Sequence, residues 1–181
     1  MFIWVAIDVD KQLLNQKEEV KKIEKEIGFE ESNISLLPLH ISLKISSNVS
    51  EQIVDKVKKD IDTLFSSTNP FEIDIEGIEL HDNIVWIRMI PNEHLTKLHD
   101  DLCSIFSEKY NLELQEFDNN FIYHSTLFLD SNRDKINKAY NLIQDLELPS
   151  KLVASKFIIG SSQEGKIGSY KVDKIVEKST D

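Results

Sequence analysis

Two tetrapeptides carry the residue types best suited to moving protons: His40-Ile41-Ser42-Leu43 and His124-Ser125-Thr126-Leu127. Each puts a hydroxyl two residues after an imidazole. Each lies in an apolar run, Leu37 to Ile45 and Phe121 to Leu129, that reads as a β-strand. Residues i and i+2 of a strand share a face, so His40 points with Ser42 and His124 with Thr126. Unbroken alternation extends these faces to Lys44 in the first run, and to Ile122 and Phe128 in the second. The opposite faces are set to pack on helices: Leu37, Leu39, Ile41, Leu43 and Ile45 in one run, Phe121, Tyr123, Ser125, Leu127 and Leu129 in the other.

A neutral imidazole accepts a proton and an imidazolium donates one, and the ordinary pKa near 6.5 allows both. Displacement at phosphorus brings the nucleophile in opposite the leaving oxygen. A base and an acid must then stand on opposite sides of the phosphate. Two copies of one strand, related by a twofold axis, supply that geometry. The Ser42 and Thr126 hydroxyls can donate hydrogen bonds to the non-bridging oxygens, where charge builds in the transition state. The scheme calls for no metal and no cofactor.

The surrounding elements repeat. Phe2 to Val9 reads as a strand, Lys11 to Ile27 as a helix stopped by Gly28, and Glu30 to Ser35 as a polar loop. After the first motif strand, Ser50 can cap a helix through Phe65, and strands follow at Phe71 to Leu80 and Ile84 to Ile90. Asn92 can cap the next helix. After the polar stretch Asn111 to Asn120 come the second motif strand, a helix from Ser131 or Asn132 to Leu146, and strands at Leu152 to Ile159 and Ser169 to Val176. Offsets between the halves agree: 124 − 40 = 84 for the histidines, 86 − 4 = 82 for the tryptophans and 160 − 77 = 83 for two glycines. The pattern predicts one α+β domain over residues 1–181, built from repeats of about 1–82 and 83–178. Its two lobes are pseudo-symmetric, mostly antiparallel sheets backed by helices, with a central cleft.

The 181 residues carry a net charge of −11, which argues against a broad basic surface for an extended nucleic acid. A small phosphate ester or a chain end fits better. One cysteine, Cys103, excludes an intrachain disulfide. Met1 to Val9 is broken by Asp8 and has no basic segment before it, so neither a signal peptide nor a membrane span is expected. The expectation is a cytoplasmic monomer.

Alternation also nominates binding residues. Trp4 lies opposite the aliphatic side of its strand, and Trp86 and Arg88 share the face opposite Val85, Ile87 and Met89. Turned toward the cleft, the indoles could stack a base and Arg88 could pair with phosphate; the same parity suits ordinary core tryptophans. Lys44 and Phe128 are candidates from their motif faces. Gly160 to Lys166 imitates a phosphate-binding loop, but Ile167 replaces the required Ser or Thr and a strand follows instead of a helix, so a hairpin is expected. His94 and His99 lack helical ligand spacing, His81 reads as a turn residue, and Cys103 as an inert helix residue.

The paired His-x-(Ser/Thr)-Leu motifs in a bilobed repeat resemble those of the two-histidine (2H) phosphoesterase superfamily, which includes 2'-5' RNA ligase-like proteins and RNA 2',3'-cyclic phosphodiesterases. The resemblance spans nearly the whole chain, including the closing strand-loop-strand around Tyr170. It implies metal-independent hydrolysis of 2',3'-cyclic phosphates of nucleotides or RNA ends, or the related 2'-5' ligation. His40, Ser42, His124 and Thr126 would then be catalytic, with His124 the base on water and His40 the acid on the leaving oxygen. Two alternatives stay open: a nucleotide-binding module without turnover, and histidines that are satisfied core residues.

Overall fold

In the computed structural model, described for residues 1–29, 37–46, 48–166 and 169–179, the apolar runs form two four-stranded sheets. The strands are β1 (Phe2–Asp8), β2 (His40–Ser46), β3 (Phe71–His81), β4 (Ile84–Met89), β5 (His124–Leu129), β6 (Lys151–Ala154), β7 (Lys156–Ser162) and β8 (Lys171–Glu177). The helices are α1 (Leu14–Ile27), α2 (Val54–Ser67), α3 (Glu93–Ser104) and α4 (Arg133–Ile143). One sheet has the order β2-β1-β7-β8 and the other β5-β4-β3-β6, with every pairing antiparallel. Each motif strand therefore edges its sheet, and the two edges touch. The third strand of each sheet comes from the other half of the chain: β3 joins β4, and β7 joins β1.

The helices cover one face of each sheet. Val57, Ile61 and Phe65 of α2 are fully buried, and Phe65 stacks on Phe157 of β7 at 4.7 Å. Leu95, Leu98 and Leu102 of α3, and Ile136, Ala139 and Ile143 of α4, bury the same kind of stripe. One continuous apolar core takes in Ile3, Val5 and Ile7 of β1 together with Val85, Ile87 and Met89 of β4. The uncovered faces carry Trp4 and Trp86.

Several boundaries differ from expectation for local reasons. Both motif strands start at their histidine. The run Leu152 to Ile159 is two strands, because the Ser155 N–H turns back to the Val153 carbonyl at 3.1 Å and sends β6 and β7 into different sheets. Ser50 offers α2 its carbonyl, to Ile53 and Val54 N–H, and no side-chain cap. Asn92 caps α3 and Asn132 caps α4 through their side chains, as their residue type suggests. Gly28 ends α1 in the left-handed region at φ 77°. Leu14, at the first turn of α1, is exposed. A 3₁₀ turn, Glu116–Asn120, occupies the end of the polar stretch before β5. The hairpin β7–β8 replaces any phosphate-binding loop, with Ser162 Oγ accepting the Glu164 and Gly165 N–H groups. Ile167 and the loop expected at Glu30 to Ser35 lie outside the described residues. Among the described residues no helix is long and apolar enough to cross a membrane.

Candidate active site

A β-bulge shapes each motif strand. In β2, Ser42 pairs with Ala6 and Lys44 with Val5, so Leu43 falls out of register. In β5, Thr126 pairs with Trp86 and Phe128 with Val85, so Leu127 does the same. An extra residue reverses the alternation beyond it. His40 and Ser42 stay on the cleft face, as do His124 and Thr126, all four half-buried. The next expected cleft residues do not. Lys44 is fully buried and bonded to Asp118 at 2.6 Å. Phe128 is 1% exposed and packs on Phe29 at 5.6 Å. Neither can touch substrate, and Ile45 takes the cleft-side place beside Trp4 instead.

The two imidazoles are held alike. His40 Nδ1–H donates to the Pro38 carbonyl at 2.8 Å, and His124 Nδ1–H to the Ile122 carbonyl at 2.8 Å. A carbonyl can only accept, so each bond fixes the proton on Nδ1 and leaves Nε2 as the proton-exchanging atom. Burial holds both histidines below the ordinary value. For His40 the Pro38 bond opposes that shift, the charge of His124 adds to it, and Asp8 opposes it; for His124 the Ile122 bond opposes it and His81 adds to it.

The tryptophans lie on the cleft faces, as alternation requires, but serve as floors. Trp4 is 2% exposed and meets the edge of His40 at 4.6 Å; Trp86 is 5% exposed and lies 4.3 Å from His124. Rings so covered orient the imidazoles and have little surface left for stacking a base. Trp4 Nε1 also donates to Ser42 Oγ at 3.4 Å, which leaves the serine proton free for another acceptor. Gly160 makes room for Trp4: a Cβ there would sit 2.5 Å from the indole.

The strand neighbouring each histidine contributes a charge. Asp8 pairs with His40 and Arg88 with His124. Asp8 is buried and bonded to Lys156 at 2.7 Å. Arg88 is half-exposed at the cleft, where Glu76 at 3.0 Å and Glu79 at 3.2 Å hold it. Glu79 also accepts from Trp86 Nε1. His81, at the end of β3, stacks on Trp86 at 4.9 Å, and Tyr170 lies 6.2 Å from Trp4. Sequence reasoning missed Asp8, Glu76 and Glu79 as site residues. Asp8 closes the first strand at the parity of Trp4, which was a usable signal. Glu76 needs the bulge between Ile75 and Gly77 to reach Arg88, and nothing in its spacing shows that.

A second polar cluster lies behind β2. Lys44, Asp118 and His99 are buried, and the half-buried Cys103 lies beside His99 at 3.5 Å. Burial, then the charge of Asp118, pushes the thiol up to about 11, which makes Cys103 a poor nucleophile.

With this geometry in place, comparison with known proteins gives a consistent result. The family model described as the 2'-5' RNA ligase superfamily matches residues 10–166. A Geobacillus kaustophilus protein provisionally named a phosphoesterase is 24% identical over 147 residues, 74% of this chain and 85% of its own. The structure of TT0787 of Thermus thermophilus aligns with a TM-score of 0.65 at 15% identity, covering 98% of this chain and 97% of that one. E. coli LigT complexed with 3'-AMP aligns at 0.56 and 16% identity, covering 98% of both chains. The two structural likenesses carry the fold.

Proposed function

The chain belongs to the 2'-5' RNA ligase superfamily, and from that premise we propose that it is a phosphodiesterase that opens 2',3'-cyclic phosphates of nucleotides or RNA ends. His124 Nε2 takes a proton from water as the oxygen attacks phosphorus. His40 Nε2–H protonates the ribose oxygen as its bond to phosphorus breaks. Ser42 and Thr126 donate to the non-bridging oxygens. A well-placed acid or base is worth ~10²–10⁴ in rate. The observation that carries this reading is the matched pair of Nδ1–carbonyl bonds, which leaves both Nε2 atoms free for proton transfer.

The direction of transfer follows the family resemblance, and Asp8 adds a small bias toward it: its carboxylate, on the strand beside His40 and bonded to Lys156, is the least of the influences on that imidazole and favours its charged form. His124 has no such neighbour: it faces His81, and Arg88 with its charge offset by Glu76 and Glu79. The same two histidines would serve 2'-5' ligation run through the reverse step.

The test is turnover of the four nucleoside 2',3'-cyclic monophosphates and a short RNA ending in a cyclic phosphate, in EDTA, with His40→Ala and His124→Ala beside the wild type. Separating the 2'- and 3'-phosphate products fixes which ribose oxygen leaves. Turnover lost in both variants is expected. Turnover that survives either substitution, or disappears on chelation, would overturn the scheme.

A further inference from the structure

We infer that the buried node of Lys44, Asp118 and His99 is a positioning device that sets the two motif strands against each other; this rests on the two-histidine reading above. Lys44 Nζ, with its side chain 0% exposed, donates to Asp118 Oδ2 at 2.6 Å and to the Ile45 carbonyl at 3.0 Å. Asp118 Oδ2 also accepts the Gln115 N–H at 2.7 Å. His99 of α3 bridges the same two segments. Its Nδ1–H donates to the Leu43 carbonyl at 2.7 Å, and its Nε2 lies 3.1 Å from the Asp118 carbonyl.

The placement gives the node its meaning. Leu43 is the bulge residue of β2, one position past Ser42. Asp118 lies in the turn that leads into β5, six residues before His124 (124 − 118). The node thus fastens the bulge that aims His40 and Ser42 to the segment that delivers His124. A buried ion pair is rarely a net gain in stability over apolar packing, since desolvation offsets its attraction. The fold itself shows an apolar solution: Phe128 occupies the corresponding place after the β5 bulge. What a short charged contact adds is a fixed length and direction, where apolar surfaces can slide. Among the described residues Asp118 Oδ1 is buried and finds no hydrogen-bond partner.

Donor atoms of His99, Cys103 and Asp118 also lie within 4.8 Å of one another. Lys44 already supplies the cation beside that carboxylate, and both ring nitrogens of His99 face carbonyls. A metal would have to displace these bonds.

The experiment uses the full chain with Lys44→Met and Asp118→Asn combined, which removes both charges and keeps an acceptor for Gln115. Steady-state kinetics on a cyclic nucleotide should show kcat at least ten-fold lower with KM within about three-fold, at an unchanged urea midpoint. His99→Leu, which leaves the ion pair intact, should lower kcat in the same direction. Wild-type kcat in either folded variant would overturn the proposal. A readout independent of turnover is the histidine Hε1 spectrum: the His40 and His124 resonances should move in the variants while exposed His94 stays fixed. Unmoved resonances would also overturn it. An inert wild type whose resonances move as expected would instead count against the proposed reaction alone.

Discussion

Strands β2 and β5 each begin on a histidine, bulge just after a hydroxyl and send the following side chain into the core, but they end on different partners. β2 sends Lys44 to an ion pair with Asp118, whereas β5 sends Phe128 against Phe29. The strands beside them differ as well: Asp8 flanks His40 and Arg88 flanks His124. The shared parts are those that orient a proton-exchanging Nε2. The differing parts carry charge. Duplication can supply two equivalent imidazoles, and unlike neighbours then let one serve as acid and the other as base.

The sharpest way to break the comparison is to remove each imidazole. His40→Ala and His124→Ala should each lower kcat by ~10²–10⁴. A substrate with a p-nitrophenolate leaving group separates the roles, since that group departs without protonation. His40→Ala should regain most of its loss on such a diester and His124→Ala should not; equal recovery would erase the assignment. Removing one hydroxyl comes next. Ser42→Ala and Thr126→Val should each reduce kcat by up to about 10² if the hydroxyls act as oxyanion donors, read from kcat with KM nearly constant.

The anchors should separate in stability. Lys44→Met leaves Asp118 charged, buried and unpaired, at a cost of about 3–5 kcal/mol in urea unfolding. Phe128→Met keeps the site apolar and leaves no buried charge behind, so it should cost less than Lys44→Met. Similar losses would mean that Lys44 works as packing alone. The smallest effect is electrostatic. Asp8 favours protonated His40, so Asp8→Asn should move to lower pH the limb of the kcat/KM profile that His40→Ala removes, and leave the other limb in place. Movement of the limb that His124→Ala removes would contradict the pairing of Asp8 with His40.

Much of this was legible in the sequence. The motif strands, the helical stripes, the asparagine caps and the faces of Trp4, Trp86 and Arg88 all follow from period and residue type. Lys44 and Phe128 were misplaced because alternation assumes an unbroken ladder, and no residue around Leu43 or Leu127 announces a bulge. The exchange of β3 and β7 between sheets was hidden for a similar reason: Leu152 to Ile159 reads as one strand, with no Gly or Pro at Ser155. The repeat offsets held a clue that spacing alone could not decode. The tryptophans are 82 apart and the histidines 84. In the sheets Trp4 lies across from Ile45 and Trp86 from Thr126, so the two indoles approach their imidazoles from different register positions.

The most direct test of the central claim is the pH dependence of kcat/KM for the wild type in EDTA, because it reports the free enzyme's acid and base. Both imidazoles are held below 6.5 by burial, and the active form needs one of them protonated and the other neutral. The account predicts a bell with its optimum below about pH 6.5, whose acid limb falls as the base takes up a proton and whose alkaline limb falls as the acid loses one. A flat profile, or a bell that keeps both limbs in His40→Ala or in His124→Ala, would contradict it.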